Sequence, residues 1–102
     1  MTTQDLEQVE IEAGSIEFLK ATVTADITLD NTVTVALSLT PTSTGAHDWK
    51  PASWTGTAGT TREARTDQTL TYAPGTYTVY VKLTDTPEVP IIAAYAVIVP
   101  GP

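Results

Sequence analysis

The chain has 102 residues and no cysteine. That length holds one domain with one core, and the missing thiols exclude both a disulfide framework and a zinc–thiolate site. The formal net charge of −7 repels a phosphate backbone and an anionic bilayer, so neither nucleic acid nor a membrane is an expected partner. Apolar residues make up 41 % of the chain, ordinary for a globular domain. Threonine supplies about a fifth of it, and β-branched side chains favour strands. Runs of Ala, Leu, Lys and Glu at helical spacing are missing, and an all-β fold is expected.

The N-terminus opens on Met1-Thr-Thr-Gln-Asp, neither basic nor followed by a long apolar run, so no secretory signal is read and the expected product is a soluble protein made in a cytoplasm without export through a signal peptide. Residues 1–15 form an acidic arm, and residues 16–100 the sandwich domain. Most of the negative charge sits early: Asp5, Glu7, Glu10, Glu12, Glu17, Asp26 and Asp30 stand against Lys20 alone among the first thirty residues. Within the arm Val9, Ile11 and Ala13 alternate with Glu10 and Glu12, which predicts a strand with an acidic outer face. Such an arm docks either on its own domain or on a neighbouring chain.

From Leu19 to Asp30 apolar and polar residues alternate strictly, the period of a strand with one buried face. The run is long for one strand, so a bend or break is expected near Ala25-Asp26. Asp30-Asn31 is a turn signal, and Val33, Val35, Leu37 and Leu39 then form the next inward face. These two segments are read as the first two strands of a sandwich. His47 to Trp54 is expected to hold the third. Trp49 and Trp54 have opposite parity there, so Trp54 is assigned to the core and Trp49 to the half-exposed face, with Pro51 a possible breaking point. A Thr/Gly loop follows, Arg62 to Thr66 is read as a short edge strand blunted by charge, and Thr69 to Tyr72 as the fifth strand.

Ala73-Pro74-Gly75 marks a turn, after which Tyr77, Val79, Val81 and Leu83 line one face and Thr76, Thr78, Lys82 and Thr84 the other. This resembles the sixth strand of an immunoglobulin-like sandwich, where a turn with Gly precedes a Tyr-x-Cys pair and the tyrosine hydroxyl bonds back to upstream backbone. Val79 stands in the cysteine position. Ile91 to Val99 closes the sheet. About seven strands at a spacing of roughly 8–12 residues fit a single sandwich.

Little in this pattern carries chemistry. His47 adjoins Asp48, but neighbours on a strand point to opposite faces, so the carboxylate is poorly placed to orient the ring. No Gly-x-Ser-x-Gly elbow accompanies it. The pattern favours an exposed loop histidine and no enzyme. Asp26, Asp30, Asn31, Asp48, Asp85 and Glu88 lie near strand ends, where a hard cation takes oxygen ligands, yet no Asp-x-Asp-x-Asp-Gly loop is present and turn-forming roles fit them better. No cofactor or metal is expected. Trp49, Trp54, Tyr72, Tyr80 and Tyr95 offer rings for a sugar platform, against which stands the burial that most rings find in a small sandwich.

Protein contact is the stronger reading. Tyr80 falls on the polar face of its strand beside Lys82, as an interface anchor would. The last strand is apolar on both faces: Ile91, Ala93, Tyr95, Val97 and Val99 alternate with Ile92, Ala94, Ala96 and Ile98. A strand apolar on both faces must be covered on both, either by the arm through Val9 and Ile11 or by another subunit. The expected interface is therefore Val9, Ile11, Tyr80, Lys82, Ile92, Ala94, Ala96 and Ile98.

From Glu17 to Val99 the sequence resembles small immunoglobulin-like proteins encoded among the virion-structure genes of tailed bacteriophages of actinobacteria. The residues that carry the resemblance are Glu17-Phe-Leu-Lys20, Trp49-Lys-Pro-Ala-Ser-Trp54 and Pro74-Gly-Thr-Tyr-Thr-Val-Tyr-Val-Lys-Leu-Thr-Asp-Thr-Pro-Glu-Val-Pro90. The resemblance implies a non-enzymatic virion component, most simply a capsid-associated decoration protein, made in the host cytoplasm and located in the virion. Such a protein would bind the major capsid protein or another virion protein in many copies or as a homo-oligomer. A neck or tail component and an adhesion module for host-surface glycan are the alternatives.

Overall fold

The computed structural model describes residues 8–84 and 89–101 of the chain. The early acids Asp5 and Glu7 and the cation candidates Asp85 and Glu88 lie outside them. The described residues are all-β: β1 (Gln8–Glu10), β2 (Ile16–Glu17), β3 (Lys20–Leu29), β4 (Thr34–Pro41), β5 (Trp49–Thr55), β6 (Gly59–Thr66), β7 (Leu70–Thr71), β8 (Gly75–Thr84) and β9 (Ile91–Val99). Seven of them form one sheet in the order β1-β9-β8-β4-β5-β6-β3, while β2 and β7 make a separate ribbon. The sheet curls into a sandwich: Ala21 and Val23 of β3 and Ala64 of β6 share one core with Val79, Val81, Leu83, Val97 and Val99.

Strand order departs from the expectation at two places. β3 and β4 do not pair; β3 runs against β6, and β4 lies between β5 and β8. Residues 34–41 thus stand beside the tyrosine-bearing strand, and the Trp49–Trp54 segment lies one position further out. The connection explains this. Asp30 accepts from the Thr32 backbone N–H at 2.9 Å and from its hydroxyl at 2.5 Å, and its own carbonyl accepts from the Val33 N–H at 3.2 Å. A side-chain-closed turn of this kind turns the chain across the core to the other layer instead of folding it back as a hairpin. The Thr32 hydrogen bonds also hold the Asp30 carboxyl below its ordinary pKa.

The second departure is β6, which is no short edge. It spans Gly59–Thr66 and pairs on both sides, with β5 and β3. Its charges follow the period of the strand: Glu63 and Arg65 point to solvent, and Arg62, Ala64 and Thr66 point inward and are buried.

Other expectations hold. Pairing of β3 with β6 runs from Lys20 to Thr24, lapses, and resumes at Leu29, which places the break at Ala25–Thr28. Trp54 packs against the core and donates its indole N–H to the Val33 carbonyl at 2.7 Å, while Trp49 is half-buried on the opposite face. Pro51 does not interrupt β5. Its carbonyl accepts from the Asp67 N–H at 3.0 Å, just past the end of β6. The missing proline N–H therefore faces a position where the ladder has already ended.

The tyrosine of β8 bonds as its pattern suggests: the Tyr77 hydroxyl donates to the Ala73 carbonyl at 2.8 Å. Its ring lies where a side chain on Gly75 would stand. A Cβ there would meet the hydroxyl oxygen at 3.3 Å, and the Gly75 φ of 152° is one that L side chains rarely adopt. Val79, in the cysteine position, is fully buried. Tyr77→Phe is expected to lower stability by about 1 kcal/mol, the net worth of one hydrogen bond, read as a shift in urea midpoint at constant slope.

Candidate interaction surface

β8 and β5 flank β4, and the register brings their outward side chains together. Ser38 of β4 is opposite Tyr80 on one side and Trp49 on the other, and Ala36 is opposite Lys82 and Pro51. Small residues on the middle strand leave a shallow trough between two rings. His47, just before β5, fills it. Its ring centroid lies 5.0 Å from that of Trp49 and 4.7 Å from that of Tyr80, edge-on to the latter. Lys82 Nζ sits 4.7 Å from the Trp49 ring centroid, within cation–π range.

Hydrogen bonds fix the cluster from below. His47 Nδ1 is 2.9 Å from the Thr40 hydroxyl, Thr40 is 2.8 Å from the Ser38 hydroxyl, and Ser38 accepts from the Asp48 N–H at 2.8 Å. Ser38 and Thr40 are buried beneath the rings. Asp48 does not orient His47. Its carboxylate pairs with Lys50 at 3.1 Å in an exposed position, where such a pair contributes little. Among the described residues no three acidic or histidine side chains converge as metal ligands.

The expected interface residues fall into two groups. Tyr80 and Lys82 belong to the aromatic cluster, and the same face continues across β9, where Ala96 is opposite Thr78 and Ile98 opposite Thr76. The second group lies at the sheet edge. A register shift between Val79 and Tyr80 inserts an extra residue into β9, and beyond it the parity reverses. Ile92 pairs with Val81 on the inward side, so Ile91 and Ala93, opposite Lys82 and Tyr80, take the outward positions expected for Ile92 and Ala94. Ala94 packs against the core. The first residues of β9 are well exposed, Ile91 at 51 % and Ile92 at 43 %.

Among the described residues of the arm, none is laid over the outer face of β9. They extend the sheet instead: β1 pairs in parallel, Gln8 with Ala96, Val9 with Val97 and Glu10 with Ile98, and the Ile11 N–H donates to the Ile98 carbonyl at 2.9 Å. Val9 therefore shares the inward side of Val97, and Ile11 packs on the core. The apolar outer face of β9 keeps no strand or loop laid across it among the described residues.

His47 and Trp49 were not among the expected interface residues. Their signal was the shared parity of His47-x-Trp49, but it gains meaning only through the β4 register that sets them against Tyr80.

Tyr95 closes the opposite side, donating its hydroxyl to the Lys20 carbonyl at 2.6 Å. Burial, with the neighbouring Tyr72 phenol adding to it, pushes the Tyr95 pKa up from 10.0 to about 12. The folded state thus holds this proton more tightly than the unfolded chain. Its contribution is complete below pH 10 and is lost as pH rises from about 10 to 12. Burial raises the Tyr72 phenol as well, so spectrophotometric titration at 295 nm is expected to show a late-ionising phase that Tyr95→Phe diminishes.

Comparison with models of known protein families, with curated proteins and with solved structures finds no match.

Proposed function

We propose that the protein is a non-enzymatic structural component of a phage virion that binds the assembled head from outside through the outer face of β9, β8, β4 and β5. The observation that carries this reading is the aromatic–cation cluster of His47, Trp49, Tyr80 and Lys82, continued by Ile91, Ala96 and Ile98 on the adjoining strand. Rings with a polar edge beside a cation are the composition of interface centres, where a few aromatic and cationic anchors carry most of the energy. The resemblance of Glu17–Val99 to virion proteins supplies the partner class. The surplus of negative charge fits a protein that avoids the packaged nucleic acid and meets protein instead.

Mixing the purified protein with assembled heads and sedimenting them tests this. Saturation at a fixed number of copies per capsomer is the expected result. Recovery with isolated tails and not with heads would move the protein to the tail and overturn the reading.

A further inference from the structure

The hydrogen bonds beneath the aromatic cluster run one way. The Asp48 N–H is a donor only, and Ser38 Oγ receives it at 2.8 Å. Ser38 is fully buried, and its other described partner is Thr40 Oγ1 at 2.8 Å, so the Ser38 proton goes there. Thr40, also buried, has then accepted, and it passes its own proton to His47 Nδ1 at 2.9 Å. An imidazole whose Nδ1 accepts carries its proton on Nε2. Reversing the chain would give Ser38 Oγ two incoming donors and leave its own buried hydrogen without an acceptor. Two buried hydroxyls thus fix the tautomer of an exposed ring.

We propose, resting on the reading that this surface binds the head, that it receives a carboxylate side chain of the head protein, held by His47 Nε2–H and Lys82 Nζ beside the Trp49 ring. The two donors converge: the His47 ring centroid lies 5.0 Å, and Lys82 Nζ 4.7 Å, from the centroid of that one ring. Among the described residues neither pairs with a carboxylate. The charge of the face points the same way. Lys82 is the only charged side chain on the outward positions of β4, β5, β8 and β9 among the described residues, although the chain carries a net charge of −7. An acidic protein that keeps acids off one face and sets a cation at its centre is complementary to an acidic group. A carboxylate offers an oxygen to each donor and a charge to the ammonium, whereas a carbonyl offers one oxygen and no charge.

Carbodiimide cross-linking of the full chain on assembled heads tests this, because the reagent joins an amine to a carboxylate only where the two touch. Lys82 is expected to be joined to an Asp or Glu of the head protein, identified by mass spectrometry of the digest. Lys82→Arg, which keeps the charge and forms no such amide, is expected to bind and to lose the cross-link. His47→Phe, which keeps a ring and deletes the Nε2–H, is expected to weaken binding at least about tenfold, as loss of a hydrogen bond to a charged group does. Nitrogen-15 spectra of the free protein are expected to show the His47 proton on Nε2. Saturable binding to heads without a Lys82 cross-link overturns the proposal and leaves the head-binding reading standing, and a His47 proton found on Nδ1 overturns it likewise. Failure of the native protein to bind heads removes that reading, and the proposal with it.

Discussion

Replacing Arg62 with alanine is expected to destabilise the protein by about 3–4 kcal/mol. The guanidinium is buried, and among the described residues no carboxylate is bonded to it. Nη1 donates to the Leu29 carbonyl at 2.9 Å and to Asn31 Oδ1 at 3.2 Å, Nη2 to the Gly56 carbonyl at 3.0 Å, and Nε to the Thr55 carbonyl at 3.2 Å. The Trp54 ring lies 5.9 Å from its carbon. One side chain thus ties the end of β3 and the turn after it to the end of β5. Truncation leaves several carbonyls facing inward with no donor, and each hydrogen bond to a charged group contributes about 1.5–3 kcal/mol. Arg62→Lys is expected to recover less than half of the loss, because a single ammonium cannot reach carbonyls that a planar fork reaches in diverging directions. Urea denaturation of the three proteins checks both numbers.

The second large effect concerns binding. Trp49→Ala and Tyr80→Ala are each expected to weaken attachment to heads by about 2 kcal/mol, roughly thirtyfold, as truncations of central aromatic anchors do. The pair is expected to cost less than the sum, because His47 bridges the two rings and loses its support with either. Neither ring belongs to the core cluster, so the melting temperature is expected to fall little. Ile16→Ala, at an exposed residue on the separate β2–β7 ribbon, serves as the control and is expected to leave binding unchanged. Titration of each variant against heads, with a melting curve alongside, separates lost contacts from lost folding.

How much of this was legible in the sequence depends on the range of the interaction. The inward faces of β4 and β8, and of β3 outside its break, where Ile27 turns out to be 42 % exposed, could be read from alternation, because the period of a strand is local. The Tyr77 bond to Ala73 spans only four residues and was equally local. Strand order was not. Leu19–Asp30 and Val33–Leu39 read as the first two strands without their partners, and only the Asp30–Thr32 turn and the Arg62 anchor show that the chain crosses the core between them.

The charge on Arg62 pointed the wrong way for the same reason. A charged residue in a strand reads as solvent-facing until the carbonyls that receive it are known. In β9 a single inserted residue reversed the parity, so that Ile91 and Ala93, and not Ile92 and Ala94, share a face with Tyr80 and Lys82. Alternation has no way to register a bulge in a run where both faces are apolar. The candidate surface was half visible: Tyr80 and Lys82 stood out as exceptions on a threonine face. His47 and Trp49 join them only because β4 places Ser38 between the two rings.

The most direct test is footprinting of the protein by hydroxyl radicals, free and bound to heads. Trp49, Tyr80 and Ile98 are expected to lose reactivity on binding, while Ile16 and Phe18, in and just after β2, keep theirs. Protection at Ile16 and Phe18 with Trp49 and Tyr80 still reactive would contradict the account.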